Sequence, residues 1–247
     1  MNRITWGVAL GLVGLAAADA AATEPADLVI TNGLVVTENA ARDVIERGVV
    51  VIRAERIVAV GPAETASRYQ AAKVIDARGG IVMPGLINTH THAAMSVFRG
   101  LGDDVADRLR RFIWPLEAKV VDADLVYWGS LHSMVEMIEG GTTTLVDSYP
   151  FPEATAKAAD EIGIRAVIPF AVKDDLPAAR AFVAAWRGHP RITAGLSLHS
   201  PYGATADQIR AGAALSAELG VPITMHVAEM DFELSELRKK YNQTPIV

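Results

Sequence analysis

The sequence predicts an α/β fold, an incomplete TIM-like (β/α)8 barrel of about five βα units, preceded by a stretch of short β-strands. Three observations predict it. Apolar, strand-like runs alternate with helical patterns from Leu86 to Lys240, which is the mark of a parallel sheet. Three of those runs end in a histidine, His90, His199 and His226, and a barrel builds its site from polar groups at strand ends. The region is also short: Leu86 to Val247 is 162 residues, whereas a complete barrel takes about 250.

Taken in order, residues 1–22 read as a signal peptide. Arg3 gives a positive start, and Trp6 to Ala18 is an apolar run of 13 residues, short of the roughly 20 that a spanning helix needs. Ala18-Asp19-Ala20-Ala21-Ala22 offers a small-residue cleavage site. The expectation is an exported protein, periplasmic or secreted, with no membrane attachment once the leader is removed; an uncleaved anchor is the alternative.

Residues 23–84 read as β structure. Leu28-Val29-Ile30 and Leu34-Val35-Val36 flank Thr31-Asn32-Gly33, a hairpin signal. Gly48–Ile52 and Ile57–Val60 flank Arg53-Ala54-Glu55-Arg56 in the same way. Lys73–Ala77 and Ile81–Met83 flank Arg78-Gly79-Gly80. Glu55 and Asp76 read as solvated turn residues.

Residues 85–247 carry the barrel units. The five strands are Leu86–His90, Thr143–Asp147, Arg165–Val172, Ile192–His199 and Val221–His226, with Leu86-Ile87 read as buried. A long excursion through Leu101 to Lys119 follows the first strand. Helices are expected over Asp124–Glu139, Pro152–Ile162, Pro177–Trp186, Thr205–Leu219 and Asp231–Lys240, with Gly163 and Gly220 as C-terminal stops.

Composition narrows the chemistry. The chain has no cysteine, so disulfides and thiolate metal ligands are excluded and any metal site is built from His and carboxylate. A formal net charge of −6 with no basic block argues against nucleic-acid binding. The apolar share of 51% fits a globular chain with a large core. A homo-oligomer stays open.

The strongest motif is Met83-Pro84-Gly85-Leu86-Ile87-Asn88-Thr89-His90-Thr91-His92. Histidines one residue apart on a strand share a face, so both imidazoles reach one metal ion. His226 in His226-Val227-Ala228-Glu229 offers a third nitrogen, and a zinc-type ion takes nitrogen ligands with a position left open for water. Glu229 then has a job as proton carrier, although alone it reads as a solvated Glu at a helix N-terminus. His199 in Leu198-His199-Ser200-Pro201-Tyr202-Gly203 is a ligand, a substrate donor or a core histidine; substrate contact is the favoured role. Trp114 and Phe112 precede Glu117, where an aromatic stacks on a heteroaromatic ring or packs in the core; Trp114 is carried as a substrate-binding candidate. Asp147 either lines the pocket or caps the next helix. His132 and His189 read as structural or surface residues.

In this order, Met-Pro-Gly-Leu-Ile-Asn-Thr-His-Thr-His, His-Ser-Pro-Tyr and His-Val-Ala-Glu resemble the amidohydrolase superfamily, and within it the branch of methylthioadenosine/S-adenosylhomocysteine deaminases and triazine chlorohydrolases. The resemblance covers roughly residues 27 to 247 and its motifs are specific in combination. It implies that His90, His92 and His226 hold one divalent ion, zinc or iron, that Glu229 shuttles the proton, that His199 contacts substrate and that Glu117 holds ribose hydroxyls. It implies that the early strands form part of a small β-sandwich. Two-metal relatives place a lysine where this chain has Leu198-His199, so a mononuclear site is implied.

The same family completes its site with a His after the sixth strand and an Asp after the eighth, which these 247 residues do not contain. The chain therefore reads as the front part of a longer enzyme, unstable and inactive alone. The implied activity is hydrolysis of a carbon–nitrogen bond that is not a peptide bond: deamination of a purine, nucleoside or other N-heterocycle by a metal-activated water. The alternatives are a chlorotriazine or cyclic-amide hydrolase and, from another class, a truncated non-catalytic metal-binding or interaction protein. Export favours scavenging of external compounds.

Overall fold

A computed structural model of the chain describes residues 23–173 and 175–246. The leader reading falls on residues 1–22, outside the described residues. The described residues divide between Pro84 and Gly85 into two compact units.

The first unit is one sheet. Its strands are β1 (Glu24–Val36), β2 (Val44–Arg53), β3 (Arg56–Gly61), β4 (Tyr69–Asp76) and β5 (Ile81–Val82), in the order β3-β2-β1-β4 with β5 also on β1. Val29, Val49 and Val51 form its buried centre. The turn expected at Arg53–Arg56 forms, joining β2 and β3 antiparallel with Ile52 opposite Ile57.

Two other expected turns are jogs. Both runs around Thr31-Asn32-Gly33 belong to β1, which pairs with β4 over Glu24–Thr31 and with β5 at Leu34-Val35, parallel in both cases. Asn32 takes a left-handed φ of 55°. Its Nδ2 donates to Asp76 Oδ1 at 3.1 Å and its carbonyl accepts the Gly79 N–H at 2.8 Å. Partners on the neighbouring strand hold the chain in line, so the left-handed residue makes a bulge and not a reversal. Arg78-Gly79-Gly80 likewise joins two strands that run in the same direction.

The second unit alternates strand and helix. β6 (Leu86–Thr91), β7 (Thr142–Asp147), β8 (Arg165–Ala171), β9 (Ile192–Ser197) and β10 (Ile223–Thr224) form a parallel sheet in sequence order. This is a curled half-barrel. Between and after the strands lie α1 (Trp114–Val120), α2 (Ala123–Glu139), α3 (Pro152–Ile162), α4 (Leu176–Ala185), α5 (Ala206–Leu219) and α6 (Asp231–Tyr241). Local chemistry sets their ends. Asp122 accepts the Leu125 N–H, Thr205 and Gln208 form a reciprocal capping box, and Gly163 and Gly220 close α3 and α5 at φ 86° and 66°. Met134, Leu145, Ile168, Phe182, Ile192 and Leu196 pack between sheet and helices. Among the described residues no helix is long and apolar enough to cross a membrane.

Three expectations need correction. Leu86 and Ile87 are 51% and 63% exposed, because β6 pairs only with β7 and forms an edge of the sheet. The expected Val221–His226 strand shrinks to Ile223–Thr224, the opposite edge, whose ladder partner is β9 alone. β9 itself ends at Ser197, which leaves Leu198 to Ser200 free to turn across the sheet end.

Candidate metal centre and active-site cleft

β6 delivers His90 and leads into His92. His226 lies just beyond β10, at the other edge of the sheet, tied down by its N–H to the His199 carbonyl at 2.9 Å. Curling of the sheet brings the two edges to one point. His90, His92 and His226 each present a ring nitrogen, and the three atoms lie within 4.8 Å of one another.

Two of the rings are oriented by backbone carbonyls. His92 Nδ1 sits 2.6 Å from the Ser148 carbonyl and His226 Nδ1 sits 3.1 Å from the His199 carbonyl. A carbonyl only accepts, so both Nδ1 atoms carry the proton and both Nε2 atoms carry a lone pair. Those Nε2 atoms face each other at 3.2 Å. Two lone pairs that close call for a positive centre between them. A tetrahedral ion with zinc-like N distances of roughly 2.0–2.1 Å spaces two ligand nitrogens about 3.3 Å apart. The donor set therefore fits a divalent ion of this kind. Burial holds the His92 imidazole below its usual pKa, against the pull of the Ser148 carbonyl, and keeps it neutral for coordination.

His199, His226 and Glu229 form a second trio whose ligand atoms meet the same 4.8 Å limit. Glu229 Oε2 accepts the Tyr202 hydroxyl at 2.6 Å. Burial, together with that carboxylate, pushes the Tyr202 phenol up to about 12, so it stays a donor. Trp114, at the start of α1, lies with its ring 6.2 Å from that of His199. Glu117 is one turn further on, and its Oε1 accepts the Tyr149 hydroxyl at 2.5 Å. Burial and the Glu117 carboxylate both raise the Tyr149 pKa. All these groups except Tyr202 line one cavity of about 380 Å³. Every residue singled out in the sequence as ligand, proton carrier or substrate contact thus faces this cavity.

Sequence reasoning missed the groups that hold them. Asp147 neither lines the cavity nor caps α3. Its carboxylate is fully buried, and Oδ1 accepts the Ala93 N–H at 2.5 Å. Burial, only partly offset by that N–H and by the Thr155 side chain, pushes its pKa up to about 7. Tyr149, Tyr202 and Glu233 went unmarked. Tyr202 had a signal, since it stands three residues after His199 in the quoted motif. His132 and His189 lie away from the site. His189 Nδ1 accepts the N–H groups of Arg191 and Ile192, a purely structural use.

Residues 81–246 match the model of the Amidohydrolase family. The chain belongs to that family. This amidohydrolase is 40% identical over 232 residues to 5-methylthioadenosine/S-adenosylhomocysteine deaminase of Symbiobacterium thermophilum, covering 89% of this chain and 53% of the relative. It is 36% identical over 234 residues to 5'-deoxyadenosine deaminase of Methanosarcina mazei, at 90% and 53% coverage. Among solved structures it resembles a zinc-bound adenosine deaminase from Xanthomonas campestris, with TM-score 0.86, 31% identity, and 91% and 54% of the two chains covered. A triazine hydrolase from Arthrobacter aurescens shares the fold at TM-score 0.75 and 22% identity, with 89% and 56% covered. The amidohydrolase chain spans about half the length of the curated relatives it matches.

Proposed function

We propose that the protein serves metal-dependent hydrolytic deamination of a purine nucleoside or related N-heterocycle. Water replaces an exocyclic amino group, and ammonia leaves. The observation that carries this reading is the convergence of His90, His92 and His226 on one point, with Glu229 beside it. The deaminase names of the relatives support the substrate class.

A divalent ion on the three histidines, zinc by its taste for nitrogen donors and with iron as the alternative, would supply Lewis acidity that brings the pKa of water to about 7. The protein's own groups do the rest. Glu229 accepts a proton from the water as the C–O bond forms and returns it to the amino nitrogen as the C–N bond breaks. The Tyr202 hydroxyl fixes one Glu229 oxygen and leaves the other for the transfer. His199 donates to the heterocycle, Trp114 offers it a flat apolar face, and Glu117 accepts from the hydroxyls of an attached ribose. The same attack on a C–Cl carbon of a triazine draws only on likeness of fold.

Ammonia release is the test. The zinc-loaded protein, completed to the length of its relatives, is given adenosine, methylthioadenosine, guanine, cytosine and a chlorotriazine. Turnover of the adenosine-type compounds, abolished by Glu229→Gln, is the expected result. Chloride release alone would move the reading to the triazine branch; zinc binding with no turnover of any compound would favour the non-catalytic alternative. We further read residues 1–22 as an export leader, and N-terminal sequencing of the mature protein that began at Met1 would contradict it.

A further inference from the structure

We infer that Glu233 is a positioning residue for the proton carrier: its buried carboxylate fixes the backbone turn that aims Glu229 into the cleft. The inference rests on the role given to Glu229 above.

Glu233 is fully buried although it lies in the first turn of a strongly charged helix, α6. Its two oxygens are divided between consecutive amides. Oε1 accepts the Ala228 N–H at 3.0 Å, and Oε2 accepts the Glu229 N–H at 2.9 Å. Ala228 holds a left-handed φ of 60°, a conformation uncommon outside glycine and asparagine. Successive amides around a left-handed residue point into one concavity, a natural anion site. Here the anion is part of the chain itself. Met230 caps α6, and Glu233 is the third residue after it; it reaches back past the cap, further than the usual capping box does.

Glu229 is therefore gripped at both ends. Glu233 holds its amide, and the Tyr202 hydroxyl holds its carboxylate. The Tyr202 ring in turn packs on Phe232, the neighbour of Glu233, at 5.1 Å between centroids. With both oxygens on amides, Glu233 is engaged as a clamp, and it belongs to neither candidate ligand group.

The test is Glu233→Gln in the full chain, which keeps the size but puts an NH2 against an N–H. Hydrogen–deuterium exchange at the Ala228 and Glu229 amides should speed up by about tenfold or more, with protection elsewhere kept. With an adenosine-type substrate, kcat should fall on the order of 10–100-fold, while KM and zinc affinity stay within about threefold. On a Glu229→Ala background the second change should cost no further kcat, since residues acting through one another are not additive. Glu236→Gln, on the exposed side of the same helix, should change none of these. Unchanged exchange, an additive loss of kcat, or loss of zinc together with turnover would overturn the inference. If Glu233→Gln does not fold, exchange in the unaltered protein decides: unprotected Ala228 and Glu229 amides overturn the clamp, and protected ones support it. If the unaltered protein, completed to the length of its relatives, deaminates nothing, the proposed function fails, and the exchange measurement still decides whether the clamp exists.

Discussion

His92 and His226 meet through their Nε2 atoms at 3.2 Å, although 134 residues separate them in the chain. Each is turned to that point by a carbonyl on its far nitrogen, Ser148 for His92 and His199 for His226. The carbonyls stand at the ends of other strands, so the sheet itself sets the geometry of the site.

Asp147 makes the stability of the fold depend on pH. Its folded pKa is raised from 3.8 to about 7 by burial. Below pH 3.8 it is protonated in both states and costs nothing. As pH rises from 3.8 toward about 7 the unfolded chain is ionised while the folded one resists, so stability is lost over that window and the loss is complete above about 7. The loss is on the order of 4 kcal/mol, from about 1.36 kcal/mol per pKa unit. Asp147→Asn should remove it. Urea unfolding at pH 4.5 and 7.5 should show the wild type losing stability relative to Asp147→Asn; parallel curves would refute the assignment.

His92 works in the opposite sense. Its imidazole pKa is lowered, chiefly by burial, so it contributes stability above the ordinary histidine range that is lost as pH falls. Zinc binding should weaken over the same fall, because protons compete for the ligand nitrogens. A chelator competition that gave a pH-independent zinc affinity would exclude this ligand set.

Tyr149 should govern affinity for a ribosyl substrate. Its hydroxyl holds the Glu117 carboxylate at 2.5 Å, and hydrogen bonds to charged groups contribute about 1.5–3 kcal/mol. Tyr149→Phe should raise KM for a nucleoside by roughly 10–100-fold, with kcat little changed and a free base unaffected. Steady-state kinetics on a nucleoside and its base would show the difference; equal effects on both would remove Glu117 from the sugar site.

Gly129 is the close approach between α2 and the turn after His92. A Cβ there would stand 2.9 Å from the Ala94 carbonyl oxygen. Gly129→Ala should push on residues 93–98, destabilise the fold by about 1–3 kcal/mol and weaken zinc binding. Thermal unfolding with and without zinc would reveal it, and an unchanged zinc-induced rise in Tm would show that the turn is not coupled to the ligands.

Much of the second unit was legible because its signals are local. The apolar runs of β7 and β8, the start of α5 at Thr205, and the glycines after α3 and α5 all act within a few residues. His90 and His92 were legible because a strand has period 2. What escaped depends on distant partners. Asn32-Gly33 is a fair turn signal, overruled by β4 and β5 on the neighbouring side. Leu86 and Ile87 look buried, and their exposure follows from the position of β6 at an edge. Asp147 reaches Ala93 across 54 residues, and Tyr149 reaches Glu117 across 32. Glu233 went unmarked, because its burial depends on the amides of Ala228 and Glu229 before the helix.

Equilibrium zinc binding to the wild-type chain and to His226→Ala tests the central claim most directly. The account predicts one zinc per wild-type chain and affinity weakened by about 100-fold or more in the variant, at or beyond the range for lost supporting groups. Equal stoichiometry and affinity in the two proteins would contradict a metal centre built on His90, His92 and His226.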